Sequence, residues 1–263
     1  MSLTPRQKTK IYVAAMYALA LAIALAVGFL ADWEKLAFNF FNLDVMRRMW
    51  PDVILVGARN TLIYTALSFL LGFILALLLA LMRLSSVAPF RAFAIAYIEL
   101  FRGLPALITL ILVGFGIPIA FQWSIPFGTL GAGSIGLAIV AGAYMAETIR
   151  AGIEAVPKGQ TEAARSIGMS KTRTMFSIVL PQAFRIIIPP LTNELVLLIK
   201  DTSLFFVLGS TIDSKELTKF SRDFMASERN ATPLTVAAIA YLIITLPLTF
   251  LVRRLERSAA QSR

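Results

Sequence analysis

Residues 61–82 read TLIYTALSFLLGFILALLLALM, a run without one charged side chain, entered directly from Arg59 and Asn60. A hydrocarbon core about 30 Å thick is crossed by roughly 20 apolar residues in helical form, and this run has that length. It makes a membrane-spanning helix the governing reading, and the rest of the chain agrees. Of 263 residues 58% are hydrophobic and only 15% charged, with a mean hydropathy of +0.77; soluble domains carry roughly 25% charged residues. Similar runs occur at Ile11–Leu30, Leu104–Ala120, Ser134–Ile149, Ile186 to about Val207, and Ala231–Val252. The fifth of the six spans is the least regular, with Pro189, Pro190, Glu194, Lys200 and Asp201 inside it. An all-α polytopic membrane protein with about six transmembrane helices follows.

Composition also excludes chemistry. The chain has no Cys and no His, so a thiolate nucleophile, an imidazole base, a disulfide framework and the usual zinc or haem ligand sets are absent. No metal site and no catalytic residue is expected. No Gly-x-x-x-x-Gly-Lys-Ser/Thr phosphate loop occurs either, so ATP hydrolysis by that route is excluded.

The net charge of +10 invites a nucleic-acid reading until the bases are placed. With the N-terminus inside, the cytoplasmic segments hold Arg6, Lys8 and Lys10, then Arg83, Arg91 and Arg102. They go on to hold Arg150, Lys158, Arg165, Lys171, Arg173 and Arg185, and finally Arg253, Arg254, Arg257 and Arg263. The outer bases, such as Lys35, Arg47, Lys215 and Lys219, are balanced by acids such as Asp32, Asp44, Asp213 and Glu216. The excess is therefore an orientation signal, with both termini cytoplasmic and no nucleic acid implied. The first span has a second reading, a signal peptide cleaved after a small-residue site near Ala24–Ala26.

The longest inner segment, about 150–181, looks structured. Pro157 opens a helix through Gln160–Ile167, Gly168 suits a left-handed C-terminal cap, and Ser170 caps a second helix from Lys171 to Leu180 that Pro181 interrupts. A connector needs only about 2–8 residues, so a basic helical hairpin suggests a docking surface. The alternative is a hairpin folded back on its own bundle. Glu162, Ala163, Ala164, Gly168, Ile178, Leu180 and Pro181 resemble the EAA loop of permease subunits of ATP-binding-cassette (ABC) importers. Glu99–Pro105, Tyr144–Ile153, Gly159–Gln160, Leu180–Arg185 and Leu198–Leu204 are similar to the polar amino acid branch of that family. Leu104 departs from the family's small or polar residues there.

The resemblance implies a type I, MetI-like helical bundle over 53–252, preceded by an extra helix and outer segment in 1–52 and followed by a basic tail, 253–263. It implies an importer of glutamine-, histidine-, arginine- or glutamate-type substrates in a bacterial inner membrane, with the EAA loop docking into a separate ATPase that uses ATP and Mg. A second permease copy or a paralogue, a solute-binding protein and membrane lipid are the other implied partners, and no cofactor is bound by this chain. Two other classes remain open at this point. An ion-coupled transporter or channel predicts an internal repeat, and a membrane anchor leaves the charges of span five without a use.

The charged and small residues within the spans carry further expectations. Glu147, Arg150 and Glu154 share one helix face, so a structural ladder with Arg150 between both carboxylates is expected. Glu99 and Arg102 are expected to pair in the same way. Glu194, Lys200 and Asp201 offer both signs, as an amino acid zwitterion requires, and are substrate-pathway candidates, with internal pairing as the alternative. Thr61, Thr65 and Ser68, with Gly72, form a small or polar stripe on span two, and Ala138, Gly142 and Ala146 form a similar one on span four, for pathway lining or for close helix packing. The outer segments 31–52 and 211–230 are expected to lie along the interface as amphipathic helices.

Overall fold

The computed structural model describes residues 4–261 and is almost wholly helical. α1 (Pro5–Leu30) starts in a capping box, the Thr4 hydroxyl accepting from Gln7 N–H while the Gln7 side chain accepts from Thr4 N–H at 2.9 Å. None of its residues is buried. Outside it, α2 (Trp33–Phe40) and α3 (Leu43–Met49) are capped by Asp32 and Asn42. A π-helical stretch, Val53–Ala58, runs straight into α4 (Arg59–Leu84), giving one 32-residue span.

The third span departs from expectation. Residues 83–103 are not merely a cytoplasmic connector, because they contain α5 (Ala88–Gly103). It is bent by 107° against the following run, α6 (Ala106–Ile111), a π turn and α7 (Ile117–Phe121). Leu104, placed before Pro105, is held in the extended region (φ −89°, ψ 139°), because the proline ring disfavours helical geometry in its predecessor. Five helices are long and apolar enough to span, or six if this bent pair counts as one.

α8 (Gly128–Glu154) is the axis of the bundle, with 67% of its most apolar stretch buried. Its main neighbour is α4. A methyl group added at Gly72 would sit 3.2 Å from the Ala138 carbonyl oxygen, and one at Gly142 would sit 3.3 Å from the Gly72 oxygen. The absence of side chains there lets the two backbones meet, the usual basis of tight helix packing in lipid. The large apolar residues left outside, such as Leu70, Leu78, Leu242 and Phe250, form a surface suited to lipid.

After α8 come α9 (Lys158–Ser166) and α10 (Lys171–Thr174), and then a π turn, Met175–Val179, that flows into α11 (Leu180–Asp201) and a 3-10 extension, Thr202–Leu208. Pro181 therefore does not interrupt the second hairpin helix. The Leu180 N–H reaches back five residues to the Met175 carbonyl, so the widened π turn absorbs the register change just where the proline lacks a donor. Lys171–Leu208 is a single 38-residue run. A short 3-10 turn, Ile212–Ser214, and α12 (Leu217–Glu228) cap the outer end before α13 (Thr232–Gln261) returns.

Two expected boundaries move. Met49 of α3 is fully buried in one cluster with Val53, Leu217 and Ala240, so the bundle's packing begins before residue 53. Residues 253–261 are no separate tail, because they continue α13; Arg263 lies outside the described residues.

Candidate functional site

The inner hairpin is built from local signals. Pro157 (φ −57°, ψ 128°) stands at the N-cap of α9, and its carbonyl accepts the Gln160 N–H at 3.0 Å. At the other end Gly168 has φ +88°. The Met169 N–H returns to the Ala164 carbonyl and the Gly168 N–H to the Arg165 carbonyl, both at 3.1 Å. This pairing is a Schellman cap, and its left-handed residue favours glycine. The Ser170 hydroxyl then accepts from the Arg173 N–H at 3.3 Å and so starts α10.

Of the residues singled out from sequence, Glu162, Ala163 and Gly168 are exposed, while Ala164 alone in α9 is buried, where the helix rests on the Met175–Val179 turn. Leu180 is half-buried and Pro181 exposed, both in the long helix. One face of α9 thus holds the hairpin together and the remainder is free. On the last turns of α8, Arg150 Nε donates to Glu147 Oε2 at 2.9 Å and Nη1 pairs with Glu154, so the ladder's guanidinium lies between two carboxylates. Glu99 makes no such pair among the described residues. The Arg102 guanidinium lies instead over the Tyr144 ring, 5.5 Å from its centroid, and the Tyr144 hydroxyl donates to the Arg102 carbonyl at 3.2 Å.

The family model described as "Binding-protein-dependent transport system inner membrane component" matches residues 68–261, a range that contains this hairpin and both long helices it joins. The chain belongs to that family. It is 38% identical to the L-cystine transport system permease protein TcyB of Bacillus subtilis (strain 168), a match covering 90% of this chain and 97% of TcyB. It is 34% identical to the glutamine transport system permease protein GlnP of Escherichia coli (strain K12), over 80% of this chain and 94% of that one. Among solved structures, an amino acid ABC transporter crystallised with histidines superposes with a TM-score of 0.74 at 36% identity, covering 81% of this chain and 96% of that one. A transport component of this family is the membrane part of its system and not the ATPase.

Within this permease bundle the polar stripe of α4 is buried. Thr61 is fully buried, its hydroxyl donating to the Gly57 carbonyl at 2.9 Å and accepting from Leu217 N–H at 3.1 Å. Thr65 donates to the Thr61 carbonyl at 2.8 Å, and Ser68 is wholly enclosed. The stripe faces protein, with α8 packed along α4 and Leu217 of α12 seated on Thr61. Span five differs. Lys200 is exposed, Glu194 and Asp201 are half-buried, and among the described residues none of the three forms an ion pair.

The outer cap is the part the sequence concealed. Asn60 Nδ2 donates to the carbonyls of Asp213 and Lys215 at 2.7 and 3.0 Å, and the Tyr64 hydroxyl donates to the Ser214 carbonyl at 2.5 Å. Glu216, read from sequence as one of several solvated outer acids, is 1% exposed. Its carboxylate accepts from the Thr218 and Lys219 N–H groups, each at 2.6 Å, and from the Tyr241 hydroxyl at 3.1 Å. Burial pushes this carboxyl up to about 7 despite those donors. No sequence periodicity marks it; the only signal is its place one residue before α12, where an acceptor satisfies free N–H groups. Around it Asp223 bridges Lys215 and Lys219 at 2.7 Å each, and Arg48 pairs with Glu228 at 2.8 Å. The segment around α12 and the helix α3 are therefore packed elements of the bundle, while α2 buries none of its residues and is tied on by Asn230 donating to the Phe38 carbonyl at 2.8 Å.

Proposed function

We propose that this chain is the permease subunit of an ATP-driven importer of polar amino acids, lying in a bacterial inner membrane with both termini cytoplasmic. The observation that carries the reading is α9, a helix buried at Ala164 alone yet fixed at both ends, presented between two spans. A separate ATPase, using ATP and Mg, docks on its exposed face around Glu162, Ala163 and Gly168. Leu180 and Pro181 root the hairpin in the long helix. This chain binds no cofactor.

Movement of α9 has two rigid exits. One is α8, braced at its inner end by the Glu147–Arg150–Glu154 ladder. The other is the Lys171–Leu208 run, about 57 Å at 1.5 Å per residue, longer than the ~30 Å membrane core it crosses. A displacement at the hairpin is thus delivered to the outer cap as lever motion. Two packings of the bundle then exchange according to which one the ATPase binds better. A solute-binding protein delivers the amino acid outside, and a second copy or a paralogue completes the pore around the unpaired charges of α11. Lys200 faces the substrate carboxylate, and Glu194 and Asp201 face its ammonium group. The amino acid class is supported by the names of the cystine and glutamine permeases and by the presence of both signs on one helix.

Affinity isolation of the tagged chain in mild detergent tests the reading. An ATPase should accompany it, with or without a second permease, and Glu162→Lys should lose that ATPase and transport together. Retention of both by the variant would end the docking role. Lys200→Met should slow uptake with the complex intact, and unchanged uptake would remove Lys200 from the pathway.

A further inference from the structure

A groove of about 700 Å³ lies between the end of α8, the inner side of α9 and the first turns of the long helix that starts at Lys171. Its floor is apolar, formed by Ile153, Val156 and Val179, and its rim carries Lys158, Arg165 and Lys171. One acid, Glu154, also lines it, and its carboxylate is paired with Arg150. Lys158 and Lys171 form no ion pair among the described residues, and Arg165 spends one N–H on the Met169 carbonyl at 2.6 Å, keeping its other donors. The groove lies between the last turn of the apolar helix Gly128–Glu154 and the first turns of the apolar run Lys171–Leu208. On the same segment Phe176 is exposed.

We infer that this groove holds an anionic phospholipid of the inner leaflet, its phosphate between Lys158, Arg165 and Lys171 and its upper acyl chain along Val156 and Val179. A free phosphate would have no use for the floor, and a zwitterionic lipid would leave the basic rim unbalanced. An amphiphile with a negative head matches both parts. Basic recesses at the cytoplasmic ends of spanning helices bind such headgroups, each base contributing ~1 kcal/mol, or about fivefold in affinity. A lipid seated there would brace the hairpin from its membrane side and leave the opposite face of α9 free. The inference does not depend on which solute is carried.

The test uses the isolated transporter complex in nanodiscs of phosphatidylcholine alone or mixed with phosphatidylglycerol, followed by native mass spectrometry after detergent release. The wild-type complex should retain phosphatidylglycerol and not phosphatidylcholine. Lys158→Gln and Lys171→Gln should each lower that retention about fivefold, and the double variant should abolish it with the thermal midpoint unchanged. Arg173→Gln, an exposed base on the same segment outside the groove, should retain the lipid. Equal loss in Arg173→Gln would reduce the effect to diffuse surface charge and overturn the site. Full retention by the double variant would overturn it as well, and so would a double variant that keeps the lipid but sheds a protein partner, because the groove would then belong to that protein.

Discussion

The two ends of the bundle are built on opposite plans. At the outer end Leu217 and Ser221 of α12 are fully buried, and the segment before it is held by side chains about 150 residues away, Asn60, Thr61 and Tyr64. At the inner end α9 buries one alanine, and its fixing bonds join residues no more than five apart. The outer cap satisfies its own polar groups and carries its own apolar core. The inner hairpin has a set shape and little packing, the state of an element whose remaining contacts come from another molecule.

The contrast breaks most visibly at Leu217. Leu217→Ala removes a buried side chain packed against Gly57 and should cost about 2–5 kcal/mol, read as a fall in the thermal midpoint of the detergent-solubilised protein. Asn60→Ala leaves the Asp213 and Lys215 carbonyls without their donor and should cost about 1–3 kcal/mol by the same measurement. If either change were silent, the cap would not be the self-sufficient end.

Gly168→Ala places a side chain at φ +88° and should cost about 1–2 kcal/mol locally, with little change in the thermal midpoint. Its larger signature should be reduced co-purification of the ATPase, because the angle between α9 and α10 is then disturbed. A variant that melts early while binding normally would reverse the assignment of roles to the two ends.

Glu216 gives the most specific effect, one read only as a dependence on pH. Its folded carboxyl titrates near 7, above the unfolded value of 4.5, so protonation favours the folded cap. Stability from this group is present below about pH 4.5, declines as pH rises towards 7, and changes no further above that. Thermal midpoints measured across that window should fall with pH in the wild type and show a shallower slope in Glu216→Gln. Parallel slopes would place the carboxylate in contact with solvent.

Much of the inner hairpin was legible because its signals act over a few residues. Pro157, Gly168 and Ser170 each impose a local geometry that no distant neighbour is needed to create. The apolar runs were legible for a related reason, since the bilayer selects on composition averaged over about 20 residues. Leu104–Pro105 carried a local signal for the 107° break as well, but hydropathy alone joins α6 to a straight span and leaves α5 as a connector. Pro181 misled in the other direction, because a π turn earlier in the helix accommodates it.

What the sequence by itself determined is therefore the apolar runs and the shape of the hairpin. Both follow from transfer free energy and hydrogen bonds between near neighbours. Tertiary structure alone decided that Thr61 closes a cap, that Glu216 is enclosed while Lys200 is not, and that Arg102 stacks on Tyr144. Each of these depends on which atom of a distant segment arrives within about 3 Å of a donor or acceptor, a matter that residue type and periodicity do not encode.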